Sequence, residues 1–361
     1  MTSRPWRTGL NPALADLSVY DVPPADAPAR LHANESPQTW SDQALDAAAA
    51  AVRAVELNRY PDTSGRRLRA LLGRRHGVDA GRIVLGNGSD EIISILLTAF
   101  ARPGGPAPRM VLPTPTFVMY AHCARVLGYE VTEVPLDAHL ELRADAMREA
   151  LRGAAVCFLA RPNNPTSSLW DRELIAMLVA EYPETIFVID EAYGAYAPGQ
   201  SLFAADAPSN QVHMTTLSKI GLASLRLGYC VADPELAEAL NKCRHPYNIS
   251  ATTLAVAETL LDRHGEELEQ HLTENLRCRA RLVAILSARS ELEVFPAHGN
   301  LVLCRLRGGR EPGHLTSTLA DAGVLIKNVS AVPGLEGCLR ISIGTATELD
   351  LLERCLPRAL A

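Results

Sequence analysis

The chain has 361 residues, of which 47% are hydrophobic and 21% are charged, and 41 acidic against 35 basic side chains give a formal net charge of −6. This composition supplies a large apolar core, which excludes an intrinsically disordered chain, and its acidic balance argues against a nucleic-acid-binding protein. No apolar run approaches the roughly 20 residues of a membrane-spanning helix, and eight scattered cysteines without a C-x-x-C pair indicate a cytoplasmic protein with reduced thiols and no metal site.

The first elements can be predicted from prolines, caps and periodicity. Residues 1–40 contain several prolines and little periodicity, which predicts an irregular N-terminal arm. Ser41 is a suitable N-cap for a helix that includes the alanine run 47–51. The apolar run 83–85 predicts a strand, and apolar residues at helical spacing between 92 and 100 predict a helix that begins near Ser89.

Short, continuous apolar runs follow at 110–112, 155–159, 186–189, 214–217 and 228–231. Such runs are typical of strands covered on both faces, so we expect an α/β fold with a mostly parallel sheet flanked by helices. Long charged helices over 250–289 then lead to strands near 301–306, 324–326 and 339–343. We therefore predict a large domain at 41–250, an interdomain helix with a small α+β domain at 251–361, and an arm at 1–40 that packs with the small domain.

A glycine-rich turn with the sequence Gly-Asn-Gly-Ser-Asp-Glu, at 86–91, joins the first predicted strand to its helix. In such a turn, backbone N–H groups approach a phosphate, and the helix N-terminus favours its negative charge. Glu91 stands where a dinucleotide fingerprint has its third glycine, which disfavours a nicotinamide-dependent dehydrogenase, and no Walker A lysine follows. The alternative is a tight turn in which Ser89 or Asp90 caps a core helix.

Polar residues follow three of the later apolar runs. The turn Arg-Pro-Asn-Asn-Pro-Thr occupies 161–166, Asp190 ends the most hydrophobic run, and Lys219 follows the run 214–217. Alone, the turn could be purely structural, and Asp190 and Lys219 could be solvated side chains at strand ends. However, open α/β sheets bind their ligands at the carboxyl ends of strands. Together with the phosphate turn, a carboxylate and an amine there form the set that pyridoxal phosphate requires for its phosphate, ring nitrogen and aldehyde.

With these motifs, and with others from 31 to 345, the sequence resembles the fold-type I pyridoxal-phosphate aminotransferases, and within them the histidinol-phosphate aminotransferase family. The stretches Ala-Asn-Glu at 33–35 and Pro-Tyr-Asn-Ile at 246–249 are similar to the latter branch. The resemblance implies a homodimer that takes pyridoxal 5′-phosphate and converts histidinol phosphate and 2-oxoglutarate to imidazole acetol phosphate and glutamate in histidine biosynthesis. An aromatic amino acid aminotransferase, a phosphothreonine decarboxylase and a noncatalytic domain are the alternatives, the last of which would normally lack Lys219.

The resemblance also implies a role for individual residues around the cofactor. Lys219 would bind the cofactor covalently and move the reacting proton, and Asp190 would pair with the ring nitrogen. Asn164 and Tyr193 would hydrogen-bond the phenolic oxygen, with Tyr193 counted among the catalytic residues. Phe117 would stack on the ring.

Further implied residues bind the cofactor's phosphate and the substrate. The phosphate contacts would come from Gly88, Ser89, Asp90, Thr216, Ser218 and Arg226, and from the partner subunit's Tyr60. The substrate-binding residues would be Tyr20, Asn34, Lys327 and Arg340. The sequence departs from the family's usual residues at His32, where asparagine is usual, at Ser167, where glycine is common, and at Lys327, where arginine is frequent. These departures bear on the choice of substrate.

Overall fold

The structure, a computed structural model, describes residues 9–15, 17 and 26–361. Its strands are β1 (Ala29–Leu31), β2 (Ile83–Gly86), β3 (Arg109–Thr114), β4 (Glu130–Pro135), β5 (Val156–Ala160), β6 (Ile186–Asp190), β7 (Gln211–Thr216), β8 (Gly228–Val231), β9 (Leu292–Val294), β10 (Leu301–Leu306), β11 (Val324–Asn328) and β12 (Cys338–Ser342). Its helices are α1 (Asp42–Arg53), α2 (Arg66–His76), α3 (Ser89–Phe100), α4 (Met119–Val126), α5 (Ala144–Leu151), α6 (Arg172–Glu181), α7 (Pro234–Cys243), α8 (Ala251–Arg263), α9 (Gly265–Ser287), α10 (Pro312–Asp321) and α11 (Ala346–Leu360).

A seven-stranded sheet in the order β2-β8-β7-β6-β5-β3-β4 forms the centre of the larger part of the molecule. Its strands are parallel except β8, which runs antiparallel to both of its neighbours. Alternate residues of β5 face opposite sides: Phe158 packs with apolar residues of α3, α4 and α7, and Leu159 packs with those of α5 and α6. Because both faces are covered, inner strands such as β5 and β6 have continuous apolar runs, and the predicted α/β architecture is confirmed.

A second, five-stranded sheet has the order β1-β11-β12-β10-β9, in which β1 pairs with β11 in parallel and the other pairs are antiparallel. Helices α9, α10 and α11 pack against this sheet, which gives the expected α+β arrangement. Strand β1 joins the N-terminal segment to strands near the other end of the chain. The domain bounds at 40 and 250 stay predictions.

Three short or edge strands were not predicted from the sequence. Strands β4 and β9 lie at sheet edges, and β1 has only three residues. Strand β4 carries exposed charged residues such as Glu130 and Glu133, so it lacks the continuous apolar run that marks the central strands. Among the described residues, no helix has both the length and the apolar character needed to cross a bilayer.

Candidate active site

The predicted polar residues meet at one edge of the seven-stranded sheet. Asn164 follows β5, Asp190 is the last residue of β6, and Lys219 lies in a 3-10 turn directly after β7. Arg226 reaches the same edge because β8 is antiparallel to β7, which places the beginning of β8 beside the end of β7. One antiparallel strand therefore adds a cation to an edge otherwise built from the carboxyl ends of parallel strands.

A cavity of about 200 Å³ lies where this edge faces the five-stranded sheet. Most of the residues predicted for the site line it: Asn34, Ser89, Asp90, Phe117, Asn164, Asp190, Tyr193, Thr216, Ser218, Lys219, Arg226, Lys327 and Arg340. The Nζ atom of Lys219 lies 5.9 Å from the centre of the Tyr193 ring. The cavity thus brings an amine, a carboxylate and several cations within reach of one small molecule.

Asp190 is buried at the base of the cavity, with only 5% of its surface exposed. The backbone N–H of Ala192 donates to its Oδ1 atom at 2.9 Å, and the hydroxyl of Tyr120 donates to its Oδ2 atom. Burial raises the pKa of Asp190 to about 6, and these two hydrogen bonds oppose that rise. A buried carboxylate held in this way is suited to a cationic N–H partner, which would stabilise its charged form.

Tyr120 is the site residue that the sequence analysis missed. It is fully buried, stacks on Phe158 with ring centres 4.7 Å apart, and meets Phe117 edge-on at 5.5 Å. Its burial, followed by the charge of Asp190, raises the pKa of Tyr120 well above its ordinary value, so the hydroxyl keeps its proton to donate. Its only sequence signal is the spacing of three residues from Phe117, which places both rings on one side of the same turn.

Two substrate-side residues orient the side chains that were expected to contact the cofactor's phenolic oxygen. Arg340 donates from Nη1 to Oδ1 of Asn164 at 2.8 Å, so the amide nitrogen of Asn164 remains a donor. The Nδ2 atom of Asn34 donates to the Tyr193 hydroxyl at 3.0 Å. The hydroxyl oxygen is therefore the acceptor in this bond, and the O–H group can donate a second hydrogen bond. Asn34 is itself held by Ser342, whose hydroxyl donates to its Oδ1 atom at 2.9 Å.

The glycine-rich turn forms an anion cradle at the N-terminus of α3. Gly88 is the N-cap residue, with a φ of 82°, and no side chain caps the helix. The alternative in which Ser89 or Asp90 caps the helix is therefore wrong, because both residues lie within the first turn. Gly228 of β8 comes so close that an added Cβ would lie 2.4 Å from the Ser89 nitrogen. The cradle consequently depends on glycine at both positions. Among the described residues, no side chain caps the first N–H groups of α3, and Ser89 and Asp90 line the cavity.

Hydroxyl groups and a cation complete the cradle. Arg226 donates to Oδ2 of Asp90 at 2.8 Å and to the Ser218 hydroxyl at 3.4 Å, and Oγ1 of Thr216 accepts from the Ser218 backbone N–H at 3.1 Å. Glu91, at the position that argued against a dinucleotide fingerprint, accepts from Nδ2 of Asn248 at 2.7 Å. This carboxylate therefore fixes the turn to the segment after α7.

At the opposite side of the cavity, the five-stranded sheet presents two cations. Lys327 of β11 and Arg340 of β12 are paired residues on adjacent strands. Lys327 lies inside β11 rather than after a strand ending at residue 326, and its side chain lines the cavity. His32, which directly follows β1, lines the cavity beside them and accepts from Nη2 of Arg340 through its carbonyl oxygen at 2.5 Å.

Within its own chain, Tyr60 does not line this cavity. Tyr60 is 80% exposed and stacks on Tyr247, with ring centres 4.4 Å apart and an interplanar angle of 22°. Its predicted contact, with the cofactor of a partner subunit, stays a prediction. Tyr20 lies outside the described residues.

Comparison with known proteins agrees with this geometry. The family model described as aminotransferase class I and II matches residues 29–355. The chain is 36% identical to histidinol-phosphate aminotransferase 2 of Nitrosococcus oceani over 94% of both chains, and 38% identical to histidinol-phosphate aminotransferase 1 of Burkholderia lata over 95% of this chain and 96% of that one. The solved histidinol-phosphate aminotransferase of Sinorhizobium meliloti, in complex with pyridoxal-5′-phosphate, covers 100% of this chain and 98% of its own, with a TM-score of 0.85 and 25% identity. The chain therefore belongs to the class I and II aminotransferases, and within them to the histidinol-phosphate aminotransferase family.

Proposed function

We propose that the protein transfers the amino group of histidinol phosphate to 2-oxoglutarate, giving imidazole acetol phosphate and glutamate, in histidine biosynthesis. One observation carries this proposal: the cavity that holds Lys219 and Asp190 also holds the paired cations Lys327 and Arg340 on the facing sheet. Histidinol phosphate has no α-carboxylate, so its recognition depends on a remote phosphate dianion. Paired cations at the far side of the cavity suit that group.

As a member of this family, the protein uses pyridoxal 5′-phosphate, and the residues present fit that group. The uncapped N-terminus of α3, the Ser218 hydroxyl and Arg226 would hold the phosphate. Asp190 would accept the ring N–H, and Phe117 would cover the ring. Asn164 and Tyr193, oriented by Arg340 and Asn34, would donate to the phenolic oxygen.

The cofactor and the protein's own residues have separate roles in the reaction. When bound, pyridoxal phosphate withdraws electrons from the substrate carbon that loses its proton. The buried Asp190 carboxylate would keep a proton on the ring nitrogen, because separating the two charges would leave an unpaired charge in a buried site. The Lys219 amine, over the Tyr193 ring, would accept the proton from the substrate's α-carbon and donate it to C4′ of the cofactor.

One pocket can serve both amino donors. In the second half-reaction the pocket would recognise the carboxylates of glutamate instead of the phosphate of histidinol phosphate. Arg340 offers the planar fork that binds either group through two hydrogen bonds, whereas Lys327 offers a compact charge on a flexible stem. Because Nη1 and Nη2 of Arg340 also bind Asn164 and His32, its guanidinium is held in place before the substrate arrives.

We also propose that the protein acts as a homodimer in the cytoplasm. The segment after α1 exposes 82% of Leu57 and 80% of Tyr60, large side chains that a partner subunit would bury. In this arrangement Tyr60 reaches the phosphate in the partner's cavity. All eight cysteines are free, as expected in a reducing compartment.

The experiment that tests the activity is a panel of amino donors with 2-oxoglutarate, followed by the formation of glutamate. We expect histidinol phosphate to have the highest kcat/KM, with phenylalanine and tyrosine far below. Turnover of phenylalanine or tyrosine without turnover of histidinol phosphate would assign the protein to aromatic amino acids. Carbon dioxide release from phosphothreonine, with no glutamate formed, would assign it to decarboxylation.

A further inference from the structure

Three residues with basic side chains lie next to one another across three strands of the five-stranded sheet. Leu31 pairs with Ile326 in the parallel ladder, so the next residues along, His32 and Lys327, are neighbours. Lys327 in turn pairs with Arg340. All three side chains line the cavity, which places the imidazole of His32 in one row with the two cations that the proposed function assigns to the phosphate.

The imidazole of His32 has unused hydrogen-bonding capacity. Its Nδ1 atom is shielded from solvent and has no hydrogen-bond partner among the described residues. The backbone around it is fixed, because Arg340 donates to the His32 carbonyl and the backbone N–H of Asn34 donates to the Ser342 hydroxyl. A shielded atom lies out of reach of a ligand in the cavity, so a bound phosphate contacts the ring through its other nitrogen, Nε2, which is not shielded and has no hydrogen-bond partner among the described residues.

We propose that His32 binds the substrate's phosphate together with Lys327 and Arg340, and that its imidazole takes up a proton as the phosphate dianion binds. This inference rests on the proposed function, since it assumes that a phosphorylated donor occupies the cavity. It assigns a role to a residue at which this chain departs from the family's usual asparagine, which has no ionisable group. His32 is thus a specificity-determining residue, because it becomes protonated when a phosphorylated donor binds and not when an unphosphorylated donor binds.

The charges around His32 favour its neutral form in the free enzyme. Burial is the largest cause of the lowered pKa of His32. Glu35 has the next largest effect and raises this pKa, and Arg340, Lys327 and Arg30 lower it further. A phosphate dianion against the ring favours the imidazolium, so the pKa of His32 is higher in the complex than in the free enzyme. Binding therefore takes up a proton between these two pKa values, and phosphate affinity falls as the pH rises through the higher one.

The test compares kcat/KM for histidinol phosphate with kcat/KM for histidinol, using the holoenzyme between pH 6.5 and 8.5. The ratio of the two kcat/KM values cancels every ionisation that affects both donors equally. A phosphate ester is almost wholly dianionic above its second pKa of about 6, so the ligand adds little slope over the upper part of this range. We expect the wild-type ratio to fall with pH, by up to about tenfold per pH unit for one proton.

His32→Asn should flatten this pH dependence and lower the ratio at pH 7 by about tenfold, as for the loss of one charge-assisted hydrogen bond. His32→Gln provides a second substitution, and His139→Asn, at an exposed histidine outside the cavity, should behave as the wild type. A wild-type ratio that does not change with pH, or one whose slope survives in both His32 variants, would overturn the inference.

A second measurement separates this inference from the proposed function. Sulfate is a tetrahedral dianion that does not titrate in this range, so its binding to the holoenzyme can be followed by calorimetry in two buffers of different ionisation enthalpy. Proton uptake in the wild type that is absent from His32→Asn supports the role of His32, even if histidinol phosphate is not turned over. Sulfate binding without proton uptake in the wild type would overturn it.

Discussion

The Tyr120 hydroxyl donates to Oδ2 of Asp190, while the opposite oxygen of this carboxylate accepts from the Ala192 backbone N–H at 2.9 Å. Both carboxylate oxygens are therefore fixed before a cofactor is bound. The Tyr120 ring is fixed in turn by Phe158 and Phe117. The position of the carboxylate is consequently set by an aromatic layer from α4 and β5, and not by strand β6 alone.

Lys219→Ala should abolish transamination and leave the fold intact, because it removes the amine and none of the phosphate contacts. The chain has only three lysines, Lys219, Lys242 and Lys327, which makes the covalent assignment simple to map. Borohydride treatment of the holoenzyme, followed by peptide mass spectrometry, should find the cofactor on Lys219. Lys242→Ala, at an exposed residue paired with Glu238, serves as the control. Cofactor attached to Lys242 or Lys327 would refute the assignment.

Asp190→Asn should stabilise the cofactor-free protein near neutral pH while it lowers turnover by orders of magnitude. The folded-state pKa of about 6 lies above the ordinary value of 3.8, so ionised Asp190 destabilises the folded protein as the pH rises from about 4 to 6. This shift corresponds to about 3 kcal/mol above pH 6. Urea unfolding of both apoproteins at pH 5 and 7.5 should therefore show a variant advantage that grows with pH. An advantage that does not change with pH would contradict the shift.

Tyr120→Phe should retain the stacked ring and lose the hydrogen bond to Asp190. Hydrogen bonds to charged groups contribute about 1.5–3 kcal/mol, which predicts a tenfold to hundredfold loss of kcat/KM. Tyr129→Phe is the matched control, because the Tyr129 hydroxyl is also buried but donates to the Leu97 carbonyl at 2.6 Å, outside the cavity. Equal losses in the two variants would show that Tyr120 acts through stability rather than through Asp190.

Lys327→Met should lower kcat/KM for histidinol phosphate by about tenfold to a hundredfold, the effect of one lost charge-assisted contact of about 1.5–3 kcal/mol. Histidinol has no phosphate, so its kcat/KM should change little. Lys242→Met controls for the loss of a surface lysine. If both donors lose equally, Lys327 supports the fold or the cofactor, and phosphate binding rests on the other groups of the pocket.

Tyr60→Phe should weaken retention of the cofactor, because the proposed dimer uses this hydroxyl as a donor to the phosphate in the partner's cavity. A loss of about 1.5–3 kcal/mol corresponds to a tenfold to hundredfold higher dissociation constant. Tyr247→Phe keeps the stacked pair of rings and removes the neighbouring hydroxyl, so it should retain the cofactor normally. Sedimentation at assay concentration completes the test, since a fully active monomer would exclude a shared site.

Much of the cofactor side of the cavity could be predicted because its residues occupy local positions. Asp190 and Lys219 each follow a continuous apolar run, and a parallel sheet brings the ends of such runs to one edge. The hydrogen bond from Tyr120 to Asp190 could not be predicted in this way, because its two residues are 70 positions apart and no local pattern joins them.

The substrate side was predicted as a set of residues but not as an arrangement. Lys327 and Arg340 come together only through the pairing of β11 with β12, and His32 joins them only through the short strand β1. Three residues of β1 carry too little periodicity to identify a strand, and its partner strand lies near the other end of the chain. Register between distant strands is decided by tertiary packing.

The pairing of β1 with β11 also sets an order of assembly. The strands of the seven-stranded sheet, which position Asp190 and Lys219, all lie between residues 83 and 231. The contact between Asn34 and Ser342, in contrast, joins positions 308 residues apart. Closing so long a loop is entropically costly and requires that nearly the whole polypeptide has left the ribosome. The edge of the seven-stranded sheet that carries Asp190 and Lys219 can therefore form during synthesis, and the side of the cavity with Lys327 and Arg340 is completed last.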